Sequence, residues 1–356
     1  MKQGRTLQEV AAELARQRES KRDFIVDTGA IRMSDDASRI ALLHADDAGQ
    51  NEDFSMTGLF HRQLGSALGI PSKYYDKMQS ELPALLSDNV NGWLGARDGR
   101  QMVRTLDGNA RAFLSDRYRR LDNFEIASAT LPVLGEMEGV TIESCEVTEH
   151  RMYVKAVNKR LETEVVPGDV VQAGVMISNS EVGLGSVSVM PLVFRLVCSN
   201  GLVVSDFGEK KFHIGRESEA SWELFSDEAL AADDQAFMLK LRDIVRGAAE
   251  EARFQSVVGR LREAAGIPIT GRVPDVIELT GERFGLNKLE QDNVLEHLIA
   301  GGSLSMYGLS NAITRASQDA ETYDRATAME AMGWQIATMP ADAWRTLNDG
   351  KRGERA

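Results

Sequence analysis

Leu7, Val10, Ala11 and Leu14 recur at helical spacing in TLQEVAAELARQRES, which predicts an opening helix with one apolar stripe. Thr6 and Glu9 stand at capping-box spacing at its start. Arg16, Arg18, Lys21 and Arg22 follow, as a solvated helix end or as an arm that touches a partner. From Phe24 to Leu43 the pattern changes to short strands around a polar turn at Ser34-Asp35-Asp36. Leu59, Gln63, Leu64 and Leu68 predict a helix that Gly69 ends. Pro71 opens the next, with Tyr74, Met78 and Leu82 at core spacing. The run NVNGWLGARDGRQMVRTLDGNARAFLS reads as a β-meander, with turns at Gly95, Asp98-Gly99 and Asp107-Gly108. Its last strand points Ala112 and Leu114 inward and leaves Arg111 and Phe113 on the other face.

Phe124, Ile126, Ala127, Leu131 and Leu134 give the buried side of a helix capped at Asp122 or Asn123. Strands follow at VTIESCEVT and HRMYVKAVNKR. In the second, Met152, Val154 and Ala156 alternate with Arg151, Tyr153, Lys155, Val157 and Lys159, so one face carries three cations and an aromatic. A turn at Pro167-Gly168-Asp169 leads into VVQAGVMISNSE and the long apolar run GLGSVSVMPLVFRLVCSNG. Pro191 there implies a bulge or a change to helix. After Lys210-Lys211-Phe212-His213 the periodicity is helical, from Trp222 onward to MGWQIATM, and NDGKRGERA reads as a disordered tail.

These elements predict an α+β protein, with a mainly antiparallel sheet over about residues 85 to 215, flanking helices and a helical C-terminal portion. The expected blocks are 1–53 (helix and short strands), 54–215 (α+β core), 216–345 (helical) and 346–356 (tail).

The 356 residues are 43% hydrophobic and 27% charged, enough apolar content to bury a core. No apolar run is long enough for a membrane span, and the charged N-terminal segment lacks a secretory core, so a cytoplasmic protein without a membrane partner is expected. Cys145 and Cys198 alone form no zinc site and read as free thiols. The net charge of −13 argues against a uniformly basic nucleic-acid binder but leaves room for a local basic groove.

Phosphate-cradling glycine loops, paired CxxC and HExxH motifs are absent, and no cofactor or metal is expected. Gly183-Leu184-Gly185 reads as a turn or bulge. The cluster Ser178-Asn179-Ser180-Glu181 follows a buried run, so it either caps a turn or lines a site. Two basic islands stand out in the acidic chain: Arg111, Arg117, Arg119 and Arg120, then Arg151, Lys155, Lys159 and Arg160. As sheet neighbours they would form a cationic face interleaved with Tyr118 and Tyr153, which suits single-stranded nucleic acid. Salt bridges to Glu143, Glu146 and Glu149 are the competing reading.

FLSDRYRRLDNFEI and AGVMISNSEVGLGSVSVMPLVFRLVCSNGL resemble the phage/plasmid-like protein family, a domain of unknown function carried by phages, prophages and plasmids. MYGLSNAITRASQD is similar to the same pattern, and the resemblance runs from about residue 54 to about residue 339. It implies a mobile-element context and no particular reaction or catalytic residues. The element order also resembles, at the level of fold, the single-strand annealing proteins of phage recombination. The leading expectation is therefore a homo-oligomeric, non-enzymatic protein that binds single-stranded DNA, and a strand-annealing role is its finer form. Arg117, Arg119, Arg120, Arg151, Lys155 and Lys159 would meet phosphates, and Tyr118 and Tyr153 would stack on bases. The alternatives are a metal-dependent nucleic-acid-processing enzyme using Ser178, Asn179 and Glu181, and an acidic structural or host-interaction protein.

Overall fold

The computed structural model describes residues 1–43, 51–185, 187–205, 227–248 and 250–349. The chain is α+β and divides into two compact units. The smaller comprises Ala11–Phe124 with Ser180–Gly185; the larger comprises Met1–Val10, Glu125–Asn179 and Ser186–Ala356. This division falls differently from the four consecutive blocks expected, because residues 11 to 124 form one body joined by a short later segment.

The opening helix α1 (Leu7–Ser20) begins as the capping-box spacing predicts: the Thr6 amide donates to Glu9 Oε2 at 2.7 Å, and the Glu9 amide donates to Thr6 Oγ1 at 3.2 Å. In the smaller unit the chain then forms β1 (Arg22–Asp27), β2 (Ile31–Met33), β3 (Arg39–Leu42) and β4 (Glu52–Met56). Helices α2 (Gly58–Ala67), α3 (Ser72–Glu81) and α4 (Pro83–Ala96) follow, then β5 (Arg100–Leu106) and β6 (Asn109–Ser115). The six strands lie in the order β1-β5-β6-β4-β3-β2, antiparallel except for the short parallel β4–β6 pair. Ile31, Ile40, Leu42, Val103 and Phe113 pack with Phe60, Leu64, Tyr75, Met78, Leu86, Val90 and Leu94 of the three helices. Each such side chain gains roughly 1.5–3 kcal/mol on leaving water.

Helix α4 corrects the expected opening of a β-meander. Its Asn and Gly content suggested a turn, but Leu86, Val90 and Leu94 recur every four residues and all three are buried. Pro83 occupies the first helical turn, where its missing amide has no helical acceptor to satisfy. The hairpin at Asp107-Gly108 is as expected, joining β5 to β6.

The larger unit contains α5 (Asn123–Glu136, beginning at the unit boundary), β7 (Val140–Val147), β8 (Met152–Glu164), β9 (Val170–Asn179), β10 (Ser188–Arg195) and β11 (Asn200–Val203). They form an antiparallel sheet in the order β11-β10-β9-β8-β7. The single sheet expected over residues 85 to 215 is thus two sheets in two units; residues 206 to 215 lie outside the described residues. Helices α6 (Asp227–Ala248), α7 (Glu251–Ala265), α8 (Val273–Phe284), α9 (Lys288–Gly301), α10 (Met306–Ala316), α11 (Tyr323–Ala337) and α12 (Ala341–Asn348) complete the unit. The expected helix start at Trp222 and all but the first two residues of the expected tail also lie outside the described residues. Pro191 neither bulges nor ends β10. It pairs in register with Val175, while β11 pairs only with Leu192–Arg195, so no β11 partner faces the proline nitrogen.

Both faces of the central strands are covered. Val171, Ala173, Val193 and Leu202 join a core with residues of α7 to α12. Tyr153, Val157, Met176, Leu192 and Val203 cluster with Tyr323 of α11. Among the described residues no helix is long and apolar enough to cross a membrane.

Candidate functional site

The register of β1 on β5 places Asp23 opposite Arg104. Arg104 is fully enclosed, yet every side of its guanidinium has an acceptor. Its Nε and Nη2 donate to the Asp23 carboxylate at 2.7 and 3.0 Å, Nη2 also to Asp122 Oδ1 at 2.7 Å, and Nη1 to the Glu181 carbonyl at 2.8 Å. Burial works against this charge, but Asp23 and Asp122 outweigh it and hold the Arg104 pKa above its ordinary value.

A β-bulge in β6 extends the network. Arg104 pairs with Ala112 and Thr105 with Ala110, so Arg111 is the extra residue. Its Nη2 donates to Glu181 Oε2 at 2.5 Å, and the Asn123 amide donates to Glu181 Oε1 at 2.6 Å. Lys21 lies 2.5 Å from Asp122 Oδ2 and 3.5 Å from Glu181 Oε1. Three cations (Lys21, Arg104, Arg111) and three carboxylates (Asp23, Asp122, Glu181) thus neutralise one another inside the smaller unit. Burial alone would raise Asp122, but Arg104 and Lys21 hold it below the usual carboxylate range.

This knot fastens the loop between β6 and α5. The Tyr118 hydroxyl donates to the Ser180 carbonyl at 3.1 Å, and Asp122 and Asn123 tie down the far end. Between these anchors Arg117 and Arg120 are exposed and Arg119 is half-buried. Arg100 reaches the same loop, 4.0 Å from Asp116, and Arg120 stands 3.9 Å from Asp23. Among the described residues the exposed cations at this loop include Arg100, Arg117 and Arg120, with Arg119 half-buried beside them. Tyr118 is half-buried and already hydrogen-bonded, and burial raises its pKa, so it is not the open stacking platform expected.

The second island belongs to the larger unit, and its reading as a cationic face is corrected. Lys155 is fully enclosed; its ammonium donates to Glu330 Oε2 at 2.6 Å and Thr327 Oγ1 at 2.9 Å and lies 4.6 Å from the Tyr323 ring centroid. Desolvation lowers its pKa against the opposing pull of Glu330. Tyr153 is buried and donates to Asp324 Oδ1 at 2.8 Å, with Thr148 Oγ1 and His150 Nδ1 on the same carboxylate. Lys159 is exposed but lies 3.2 Å from Glu143, and Arg160 pairs with Glu138. Arg151 is half-buried. Strand alternation implied one solvated face; α11 covers that face and brings its own carboxylates.

The polar cluster resolves into turn chemistry and the knot. Ser180 Oγ accepts from the Val182 and Leu184 amides at 3.4 and 3.1 Å. Gly183 has a φ of +78°, a backbone conformation that favours glycine, and a Cβ there would also press on the Leu114 side chain. Ser178 and Asn179 are buried on β9 of the larger unit, and Glu181 faces cations rather than a second carboxylate. Among the described residues no three His, Cys, Asp or Glu side chains are placed to hold a metal.

The remaining resemblance motifs also bind one another. Arg195 Nε donates to Asp169 Oδ1 at 2.6 Å and the Tyr307 hydroxyl to Asp169 Oδ2 at 2.9 Å, and Asn200 Nδ2 donates to Thr314 Oγ1 at 2.5 Å. Sequence reasoning missed Lys21, Asp23, Arg104, Asp324 and Glu330. Arg104, set between Val103 and Thr105 inside β5, was the available signal for one of them; the others pair across distances that no local pattern encodes.

No curated protein and no solved structure matches this chain. Residues 112–223 match the model of a family described as Domain of unknown function (DUF932), about a third of the chain. The stretch similar to that family therefore holds Tyr118, Asp122, Glu181 and Arg195, residues whose side chains tie the buried networks together.

Proposed function

We propose that the protein binds single-stranded nucleic acid through the arginine loop of the smaller unit. The observation that carries this reading is the loop's construction: three arginines within four residues, on a segment anchored at both ends, with Arg100 alongside. Arginine offers a planar fork of donors that suits phosphate oxygens, and a fixed loop loses little freedom on binding. The net charge of −13 repels nucleic acid at long range, but the Debye length is about 8 Å at physiological salt, so short-range contacts decide. Lys155 and Tyr153 have no part in it. Strand annealing for a mobile element is the finer form of the same reading and rests on the resemblance.

The test is fluorescence anisotropy of a labelled unstructured oligonucleotide over a salt series. Binding should weaken steeply with salt, by roughly 0.7 in log–log slope per phosphate contact on a single strand. Arg117→Glu with Arg120→Glu should abolish it, and Arg117→Gln with Arg120→Gln, which places no new carboxylate beside Asp23, should weaken it strongly while the chain stays folded. Binding unchanged by either double substitution, or no binding at low salt, overturns the proposal.

A further inference from the structure

Helix α4 is fixed on one side and bare on the other. Leu86, Val90 and Leu94 enter the core, and Ser87 Oγ and Asn91 Nδ2 each donate to the Met33 carbonyl at 3.0 Å, while Asn91 Oδ1 accepts from the Met33 amide at 2.7 Å. On the opposite flank its N-cap Leu82 is 56% exposed, Leu85 46% and Trp93 58%. With Asn89, Gly92 and Ala96 these residues fall at positions 82, 85, 89, 92/93 and 96, the spacing of a coiled-coil seam. Exposed apolar side chains gathered on one helix flank are the kind of surface that a partner can cover.

We propose that this stripe is the contact between two copies of the chain, packed as antiparallel α4 helices about a two-fold axis at Asn89. The charge distribution narrows the occupants, and the spacing of the stripe selects a second copy. The chain carries −13 overall, so two copies repel one another, yet α4 holds a single charged residue, Asp88, at the edge of the stripe. Its lack of any Lys or Arg disfavours a nucleic acid or an anionic membrane. The stripe is also self-complementary. Centred on Asn89, an antiparallel pair sets Leu85 of one copy against Trp93 of the other and Leu82 against Ala96. Gly92 lets the backbones approach, and the two Asn89 amides meet at the axis, where a polar pair fixes register. A helix of 14 residues is about 21 Å long. A seam of that length is at the small end of stable interfaces, so the dimer forms only at raised concentration.

Sedimentation of the full, nuclease-treated chain over a protein concentration series tests this. The wild type should pass from 39.1 kDa to twice that mass. Trp93→Glu should weaken dimerisation at least tenfold, and Asp88→Asn, which removes like charges from the seam, should strengthen it. A mass that stays monomeric throughout, or a dimer that survives Trp93→Glu, overturns the proposal. Asn89→Cys in a Cys198→Ser background gives an independent reading: a reducible cross-linked dimer supports the two-fold at Asn89, and its absence under oxidising conditions refutes it.

Discussion

Lys155 Nζ stands 2.6 Å from Glu330 Oε2, and neither side chain touches solvent. Among the described residues the second carboxylate oxygen of Glu330 has no hydrogen-bond partner. Removing one member of such a pair strands the other, at a cost of about 3–5 kcal/mol. Lys155→Met and Glu330→Gln should each lower the denaturant midpoint strongly, whereas Lys155→Met with Glu330→Leu should recover most of the loss. Two single variants with near-wild-type midpoints would show that water reaches the pair.

Glu181 separates anchoring from contact. Glu181→Gln leaves Arg111 without its ion pair and weakens the hold on the Asn123 amide. The expected result is a destabilisation of about 3 kcal/mol or more together with weaker oligonucleotide binding. Arg117→Gln with Arg120→Gln should lose binding with a much smaller fall in melting temperature, since Arg120 gives up only an exposed contact 3.9 Å from Asp23. Equal melting temperatures for the two variants would contradict the anchoring role.

Acid should loosen the smaller unit through Asp122. Its folded pKa lies below the unfolded value of about 3.9, so the unfolded state binds the proton first as pH falls. The stability contributed by pairing with Arg104 and Lys21 is full above that unfolded value and is lost as pH drops towards the folded one. Thermal melts should show a steep acid limb below about pH 4 that is shallower in Asp122→Asn, by up to about 1.4 kcal/mol per pH unit.

The two thiols should differ in reactivity. Burial, aided by Glu146 and Glu9, pushes Cys145 up to about 11, and its Sγ donates to the Arg5 carbonyl at 3.2 Å. Cys198 is half-exposed. A thiol reagent at neutral pH should label one cysteine promptly and the second only after unfolding. Two equally fast reactions would contradict the burial of Cys145.

Local signals were readable where local physics decides. The Thr6–Glu9 capping box, the Gly69 helix stop and the Asp107-Gly108 hairpin all appear in the structure. The misreadings share a cause. Alternation in β8 correctly placed Lys155 and Tyr153 on one face, but alternation says nothing about what covers a face, and the cover comes from residues 323 to 330. In α4, turn-forming Asn and Gly masked a four-residue apolar period that packing enforced. The Arg111 bulge has no signature in a single sequence, yet it decides that this arginine turns inward to Glu181 while Arg117 and Arg120 stay at the surface.

The discontinuity of the smaller unit has a consequence for synthesis. Arg104 and Arg111 leave the ribosome some seventy residues before Glu181, their shared acceptor. At about 5–20 residues per second that is a wait of several seconds. Over this interval Arg104 already has Asp23 for a partner, but the Glu181 carboxylate that receives Arg111 has not yet been made. The segment Ser180–Gly185 supplies it, and so completes a body begun much earlier.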